Sequence, residues 1–291
     1  MFSYRHAFHA GNHADVLKHM ALIATLRYLT TAKDTPLLVA DTHAGTGLYR
    51  LDGGDAQTSG EALEGVLPLW QQYGPGAPPD EAKAPEALAA YLRLLAGFNA
   101  GGTLRRYPGS PFITAALMRP QDQLRLFELH PTDSRLLDKN VAELPNAGQI
   151  QVVRNNGFTG LKALLPPPSR RGVVLIDPSY ELKTDYAQVV SCMQDAMQRF
   201  VTGCYMVWYP VIPRPEAHEL PRRLRTLAQQ ADRPWLHATL SIGRGDQDAS
   251  GRDGLRASGV FMINPPFVLK AELEQALPVV HRMLRRGGGA A

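Results

Sequence analysis

A doubly wound α/β fold, built on a seven-stranded and mostly parallel sheet, is predicted for this chain by three observations. Seven short runs rich in Val, Ile, Leu and aromatic residues are bounded by turn residues, and helical patterns lie between most of them. The last two runs are joined by Gly243 to Ser258, which has no helical periodicity. Alternating strands and helices call for parallel strands with ligands at their carboxyl ends. The final strand, lacking a crossover helix, is expected antiparallel to the sixth.

In chain order, Leu17, Met20, Ala21, Ala24 and Tyr28 share one face of an opening helix. The first strand, near 36–41, runs into Asp41-Thr42-His43-Ala44-Gly45-Thr46-Gly47. The segment 48–120 is too long for one crossover: it holds helical patterns near 60–72 and 85–98 around the Pro- and Gly-rich stretch Tyr73 to Pro85. It reads as a small helical insertion subdomain, with 1–47 and 121–291 forming the main domain. Strands near 124–129, 150–154, 172–177, 203–209, 237–242 and 259–264 follow, and the tail from Arg285 reads as frayed.

Composition narrows the classes. A chain of 291 residues that is 44% hydrophobic can bury one large core. A formal net charge of +4 is no polybasic signature, so a nucleic-acid partner must be gripped locally. Cys192 and Cys204, outside any metal-ligand spacing, read as two reduced core thiols of a cytoplasmic protein. No apolar run approaches the ~20 residues that cross a bilayer, and the first residues do not read as a signal peptide. No membrane partner, no metal and a monomer are the expectations.

The chemistry gathers at strand ends. Gly45 and Gly47 allow a tight turn and close approach of the backbone to a nucleoside. Glu128, ending the second strand, can accept from ribose hydroxyls, and Asn156-Gly157, after the third, can meet an adenine edge. This set fits S-adenosylmethionine; a dinucleotide fits less well because GxGxxG is absent. The fourth strand, Val173-Val174-Leu175-Ile176, runs into Asp177-Pro178-Ser179-Tyr180. An adenine N6 amine is a poor nucleophile because its lone pair is delocalised. The Asp177 carboxylate and the Pro178 carbonyl can each accept one N6 hydrogen and favour a pyramidal nitrogen, while Tyr180 can stack on the base.

Asn264-Pro265-Pro266-Phe267 matches the amino-methyltransferase pattern better than DPSY does. It ends the strand expected to be antiparallel, at the edge opposite the cofactor, and reads as structural. His6, His9, His13 and His19 lack a ligand spacing and read as part of a segment capping the pocket, with Asp15 one helical turn from His19. Arg170 and Arg171, before the fourth strand, read as solvated surface at the far edge. Arg244, Arg252 and Arg256, after the sixth strand, are candidates for phosphate contacts, and Arg105 and Arg106 are a second candidate pair.

Seven strands with a closing hairpin are the usual outline of a Rossmann-like class I methyltransferase. The chain also resembles the RlmJ-type adenine N6-methyltransferases of 23S ribosomal RNA. The resemblance runs from Tyr4-Arg5-His6-Ala7-Phe8-His9-Ala10-Gly11-Asn12-His13-Ala14-Asp15 through Tyr107-Pro108-Gly109-Ser110-Pro111, Glu128-Leu129-His130-Pro131, Lys183-Thr184-Asp185-Tyr186 and Trp208-Tyr209-Pro210 to Ile263-Asn264-Pro265-Pro266. It implies S-adenosylmethionine as donor, cofactor contacts at His19, His43, Ser110 and Glu128, Asp177 as the catalytic carboxylate, and a substrate contact from Tyr4.

Two departures stand out: the family pattern DPPY is DPSY here, and an acidic residue before glycine is Asn156. One such proline is worth ~0.4 to 1 kcal/mol, roughly a two- to fivefold population effect, so a slowed but working enzyme is expected. The alternatives are a DNA adenine N6-methyltransferase, a catalytically weak cofactor- and RNA-binding homologue, and a nicotinamide dehydrogenase.

Overall fold

The computed structural model describes residues 8–53, 60–77, 83–243 and 255–285. Its main sheet has the order β5-β4-β1-β6-β7-β9-β8. These strands are β1 (Leu38–Asp41), β4 (Gln123–Phe127), β5 (Ile150–Val153), β6 (Gly172–Ile176), β7 (Cys204–Pro210), β8 (Trp235–Ser241) and β9 (Ala257–Ile263). All seven runs read from the sequence are strands. β1 pairs parallel with β4 and β6, β4 with β5, and β6 with β7. β9 is antiparallel to both β7 and β8, as the lack of helical periodicity in the connecting sequence predicts.

The central strands are buried on both faces, which is why they read as unbroken apolar runs. Alternate residues serve two cores. Val39, Val173 and Leu175 face one, with α1 (His13–Ala32). Ala40, Val174 and Ile176 face the other, with α7 (Lys183–Arg199) and α8 (Pro215–Gln230). The first core also takes in α2 (Val66–Tyr73), α3 (Glu86–Gly97), α4 (Ser110–Leu117) and α9 (Leu269–Leu284). The helical patterns expected near 60–72 and 85–98 are α2 and α3, the former preceded by a short 3-10 turn at Glu61–Glu64. Two three-residue strands, β2 (Leu48–Arg50) and β3 (Arg106–Pro108), form an antiparallel pair that the sequence reading lacks.

The opening helix is buried far beyond the single face expected of it: every residue from His13 to Leu26 is buried. Helices and strands surround it, with α3, α4, α9 and β7 to β9 all in contact. Asn12 caps its start, the side chain accepting from Asp15 N at 2.9 Å. Its far end corrects the reading of Arg171 as solvated. The Arg171 guanidinium donates to the carbonyls of Leu29 (2.5 Å), Lys33 (3.1 Å) and Thr35. Arg119 adds bonds to Lys33 (2.7 Å) and Thr35 (3.0 Å), so two guanidiniums satisfy the orphan carbonyls that follow the helix.

The NPPF segment lies where topology puts it. Ile263 pairs with Tyr205 at the start of β7, so Asn264 sits at the amino edge of the parallel strands. Asn264 adopts φ 54° and donates to the carbonyls of Val201 and Gly203 at 2.9 and 2.7 Å, a structural fastening. Cys192 and Cys204 are free and buried, and burial pushes both thiols up to about 12. Among the described residues, no helix is long and apolar enough to cross a membrane.

Candidate active site

A cavity of about 460 Å³ opens at the carboxyl ends of β1, β4, β5 and β6. The crossovers from β1 and β6 leave in opposite directions there, the position where open α/β sheets bind ligands. Register fixes the key loops on this edge: Asp41 pairs with Leu126 and Leu175, so Glu128 and Asp177 each follow two residues beyond. The eight residues assigned to the cofactor line this cavity: His43, Gly45, Glu128, Asn156 and Gly157 from strand-end loops, Ser110 from α4, His19 from α1, and Asp177.

Backbone shape explains the glycines. Gly45 and Gly47 have φ of 61° and 79°, the left-handed region in which a side chain is strained. Gly157 has no such φ; a Cβ there would stand 2.1 Å from the Thr42 carbonyl, so glycine is required by close approach of two loops. Glu128 ties the loop after β1 to its own loop after β4, its two oxygens accepting from Gly45 N (2.9 Å) and His130 N (2.8 Å). Burial raises its carboxyl while these two amides oppose the rise. The Asn156 side-chain oxygen caps a short helical turn by accepting from Phe158 N at 2.9 Å, which puts a local bond where the sequence reading has only an adenine contact.

Beside Asp177 stands a residue that the sequence reading missed. Lys18 of α1 places Nζ 2.6 Å from Asp177 Oδ2 and 2.9 Å from Asp15 Oδ1. Burial alone would pull the ammonium down, but Asp15 and Asp177 together hold it well above the ordinary lysine range. Its signal in the sequence was a charge embedded in the apolar stretch Val16 to Ala24. Asp15 was expected to orient His19, yet it lies 3.8 Å from His19 Nε2 and closer to Lys18. His19 Nδ1 instead meets the Tyr107 hydroxyl at 2.8 Å. A second buried carboxylate, Asp41, accepts from Ser110 Oγ at 2.6 Å; burial pushes it up to about 6 against the bonds from Ser110 and the His43 amide.

Other expectations are corrected. Pro178 and Ser179 line the cavity, but Tyr180 does not. At φ 53° the chain turns the Tyr180 ring inward. It packs against Tyr186 and Trp208, with centroids 4.6 and 6.0 Å away, and its hydroxyl donates to the Trp208 carbonyl at 2.7 Å. Only 3% exposed, it offers no face for a base in this arrangement and serves to pack the loop. Arg256 is also absent from the cavity lining: it immediately precedes β9, with its guanidinium 3.8 Å from Glu64. Tyr4, His6, Arg244 and Arg252 lie outside the described residues. His9 pairs with Glu61 at 2.8 Å and His13 is buried within α1, so of the described amino-terminal histidines His19 alone lines the cavity.

The site therefore combines a cavity of about 460 Å³, glycines at positive φ and at a close approach of two loops, a carboxylate fastened by two backbone amides and a contiguous Asp-Lys-Asp trio. The cavity size, the Glu128 oxygens and the glycine walls fit S-adenosylmethionine. Among the described residues, no cluster of three His, Cys, Asp or Glu side chains is arranged to hold a metal.

Comparison with known proteins agrees with this geometry. The family model described as "Ribosomal RNA large subunit methyltransferase D, RlmJ" matches residues 34–291. The chain is 44% identical over 288 residues to the ribosomal RNA large subunit methyltransferase J of Escherichia coli (strain K12), covering 99% of this chain and 96% of that one. It is 41% identical over 285 residues to the protein of that name from Haemophilus influenzae, covering 98% and 94%. Among solved structures, protein LPL1258 from Legionella pneumophila superposes with a TM-score of 0.81 at 33% identity, covering 96% of each chain.

Proposed function

The chain belongs to the ribosomal RNA large subunit methyltransferase D, RlmJ, family, and from this premise we propose that it methylates N6 of an adenine in 23S ribosomal RNA, using S-adenosylmethionine. The observation that carries the reading is the Lys18–Asp177 pair at the rim of a cavity bounded by Gly45, Glu128 and Gly157.

When bound, S-adenosylmethionine supplies a sulfonium-activated methyl group. Glu128 holds the ribose, the loops at His43, Gly45 and Gly157 accommodate the nucleoside, and Ser110 and His19 complete the wall. Lys18 occupies Oδ2 of Asp177 and leaves Oδ1 for one N6 hydrogen; the Pro178 carbonyl takes the other. Asp15, Lys18 and Asp177 together carry one net negative charge, which complements the positive charge that passes from donor to N6. Transfer would form the methyl–N6 bond as the methyl–sulfur bond breaks and S-adenosylhomocysteine leaves as a neutral thioether, and Asp177 would then accept the proton lost from the cationic N6. The adenine must be unstacked to reach this loop.

Residues 48–120 are read as an insertion into a single Rossmann-like domain that acts as a cytoplasmic monomer. Tritium transfer to deproteinised 23S RNA against duplex DNA tests the substrate. Asp177→Ala is expected to abolish methylation while S-adenosylhomocysteine still binds. Undiminished turnover in that variant would falsify the assignment. A silent RNA-binding protein, the reading that Ser179 invites, predicts cofactor binding without transfer in wild-type protein.

A further inference from the structure

The antiparallel β2–β3 pair gathers three arginines. Arg50 and Arg106 are directly opposite in its register, and both are exposed, as is Arg105. Like charges directly opposite on an antiparallel pair destabilise it. The structure nevertheless fixes this strand with unusual completeness. Buried Asn99 donates to the carbonyls of Leu95 (2.9 Å) and Arg106 (2.8 Å), and its oxygen accepts from Arg105 N (2.9 Å) and Arg106 N (2.8 Å). That exhausts the bonding capacity of one buried amide. Leu51 N donates to the Arg105 carbonyl at 2.8 Å, and Trp70 Nε1 holds the preceding turn through the Gly102 carbonyl at 3.0 Å.

The strand pair also adjoins the cavity. Tyr49 and Gly109 line it, and Tyr49 pairs with Tyr107 on the buried face, so Arg50 and Arg106 lie on the outward face. Arg50 follows Tyr49 directly, and Arg106 is three residues, about 10 Å of strand, from Gly109. Asp52 neutralises Arg50 through bonds of 3.0 and 3.2 Å. Asp52 also feels the charge of Arg105, but among the described residues no carboxylate lies within ion-pair distance of the Arg105 or Arg106 side chain.

We propose that the β2–β3 strand pair is a phosphate-binding ledge, on which Arg105 and Arg106, assisted by Arg50, hold the RNA backbone beside the target adenine. The inference rests on the reading of the cavity as an RNA adenine methyltransferase site. Backbone contacts of this kind set register and orientation without reading sequence. A strand held this firmly by Asn99 suits that task, because it presents Arg105 and Arg106 from a fixed backbone.

The test measures binding of wild-type protein and of the Arg105→Gln, Arg106→Gln double variant to deproteinised 23S rRNA between 50 and 200 mM salt. Each phosphate contact adds about 0.7 to 0.9 to the slope of log affinity against log salt, so the variant is expected to have a slope shallower by roughly 1.4 to 1.8. Over that range wild type then loses about tenfold more affinity than the variant. In turnover the effect falls on KM more than on kcat, and the Arg105→Lys, Arg106→Lys pair restores most of the slope. A double variant with the wild-type slope overturns the proposal; so does one whose melting temperature and S-adenosylhomocysteine affinity fall together with RNA binding. Wild-type protein that binds with the steep slope but methylates no adenine overturns the reading of the cavity and leaves the ledge standing.

Discussion

The ammonium of Lys18 lies 2.6 Å from the carboxylate of Asp177, although 159 residues separate the two in sequence. Asp15, one turn earlier in the same helix, shares that ammonium at 2.9 Å. The strand-end carboxylate is thereby aimed by a helix packed across the sheet.

Lys18→Met should remove the charge while keeping most of the packing. Methyl transfer is expected to fall by two to three orders of magnitude, on the scale of losing one preorganised electrostatic partner. Stability should fall by about 3–5 kcal/mol, since two buried carboxylates lose their counter-ion. Single-turnover tritium transfer and urea unfolding check both values, and a near-normal rate in this variant would remove Lys18 from the site.

Ser179→Pro restores the family's second proline on the exposed side of the loop that carries Asp177. Restricting Pro178 and fixing residue 179 should raise the methylation rate about two- to fivefold. A steady-state comparison on the same RNA decides the matter. A slower variant would mean that the loop needs its freedom during turnover.

Gly157→Ala tests the contact between two walls of the cavity. Its Cβ would meet the Thr42 carbonyl at 2.1 Å, and backbone on both sides would have to move. Calorimetry with S-adenosylhomocysteine is expected to show at least a tenfold weaker complex, about 1.4 kcal/mol. Unchanged affinity would show that this wall does not shape the nucleoside site.

Acid sensitivity should trace in part to His13. Burial in α1 pushes it down to about 4, against the pull of Glu61 and with help from Arg256. The unfolded chain therefore binds this proton near pH 6.5, whereas the folded one resists it. Stability is complete above pH 6.5 and is lost as pH falls toward 4, by about 2 kcal/mol between pH 7.5 and 5. Asp41, pushed up to about 6, acts in the opposite sense and is common to both proteins compared. Urea midpoints of wild type and His13→Asn at the two pH values should differ by that amount in slope, and parallel profiles would exclude His13.

The sheet was legible because strands buried on both faces leave unbroken apolar runs, as Val173 to Ile176 does. The helix-free stretch after β8 gave the antiparallel strand, which in turn dismissed NPPF as a site. The loops at Gly45, Glu128 and Asp177 were legible as strand ends. Lys18 was not, because a lysine in a helix ordinarily faces water and its partner is remote in sequence. Tyr180 was misread because the positive φ that turns its ring inward leaves no mark on residue type. Arg171 was misread for a related reason: its position at the far edge was inferred correctly, but the carbonyls that it caps belong to a helix end more than 130 residues earlier in the chain.

The two guanidiniums at the end of α1 have reach beyond their own edge of the sheet. The helix is about 30 Å long and is gripped at both rims, so sliding along its axis would break bonds to Leu29, Lys33 and Thr35 before Lys18 could leave Asp177. Arg119 and Arg171 thus behave like the far mooring of a taut line. Loosening them should misalign chemistry at the other end although no residue of the pocket is substituted.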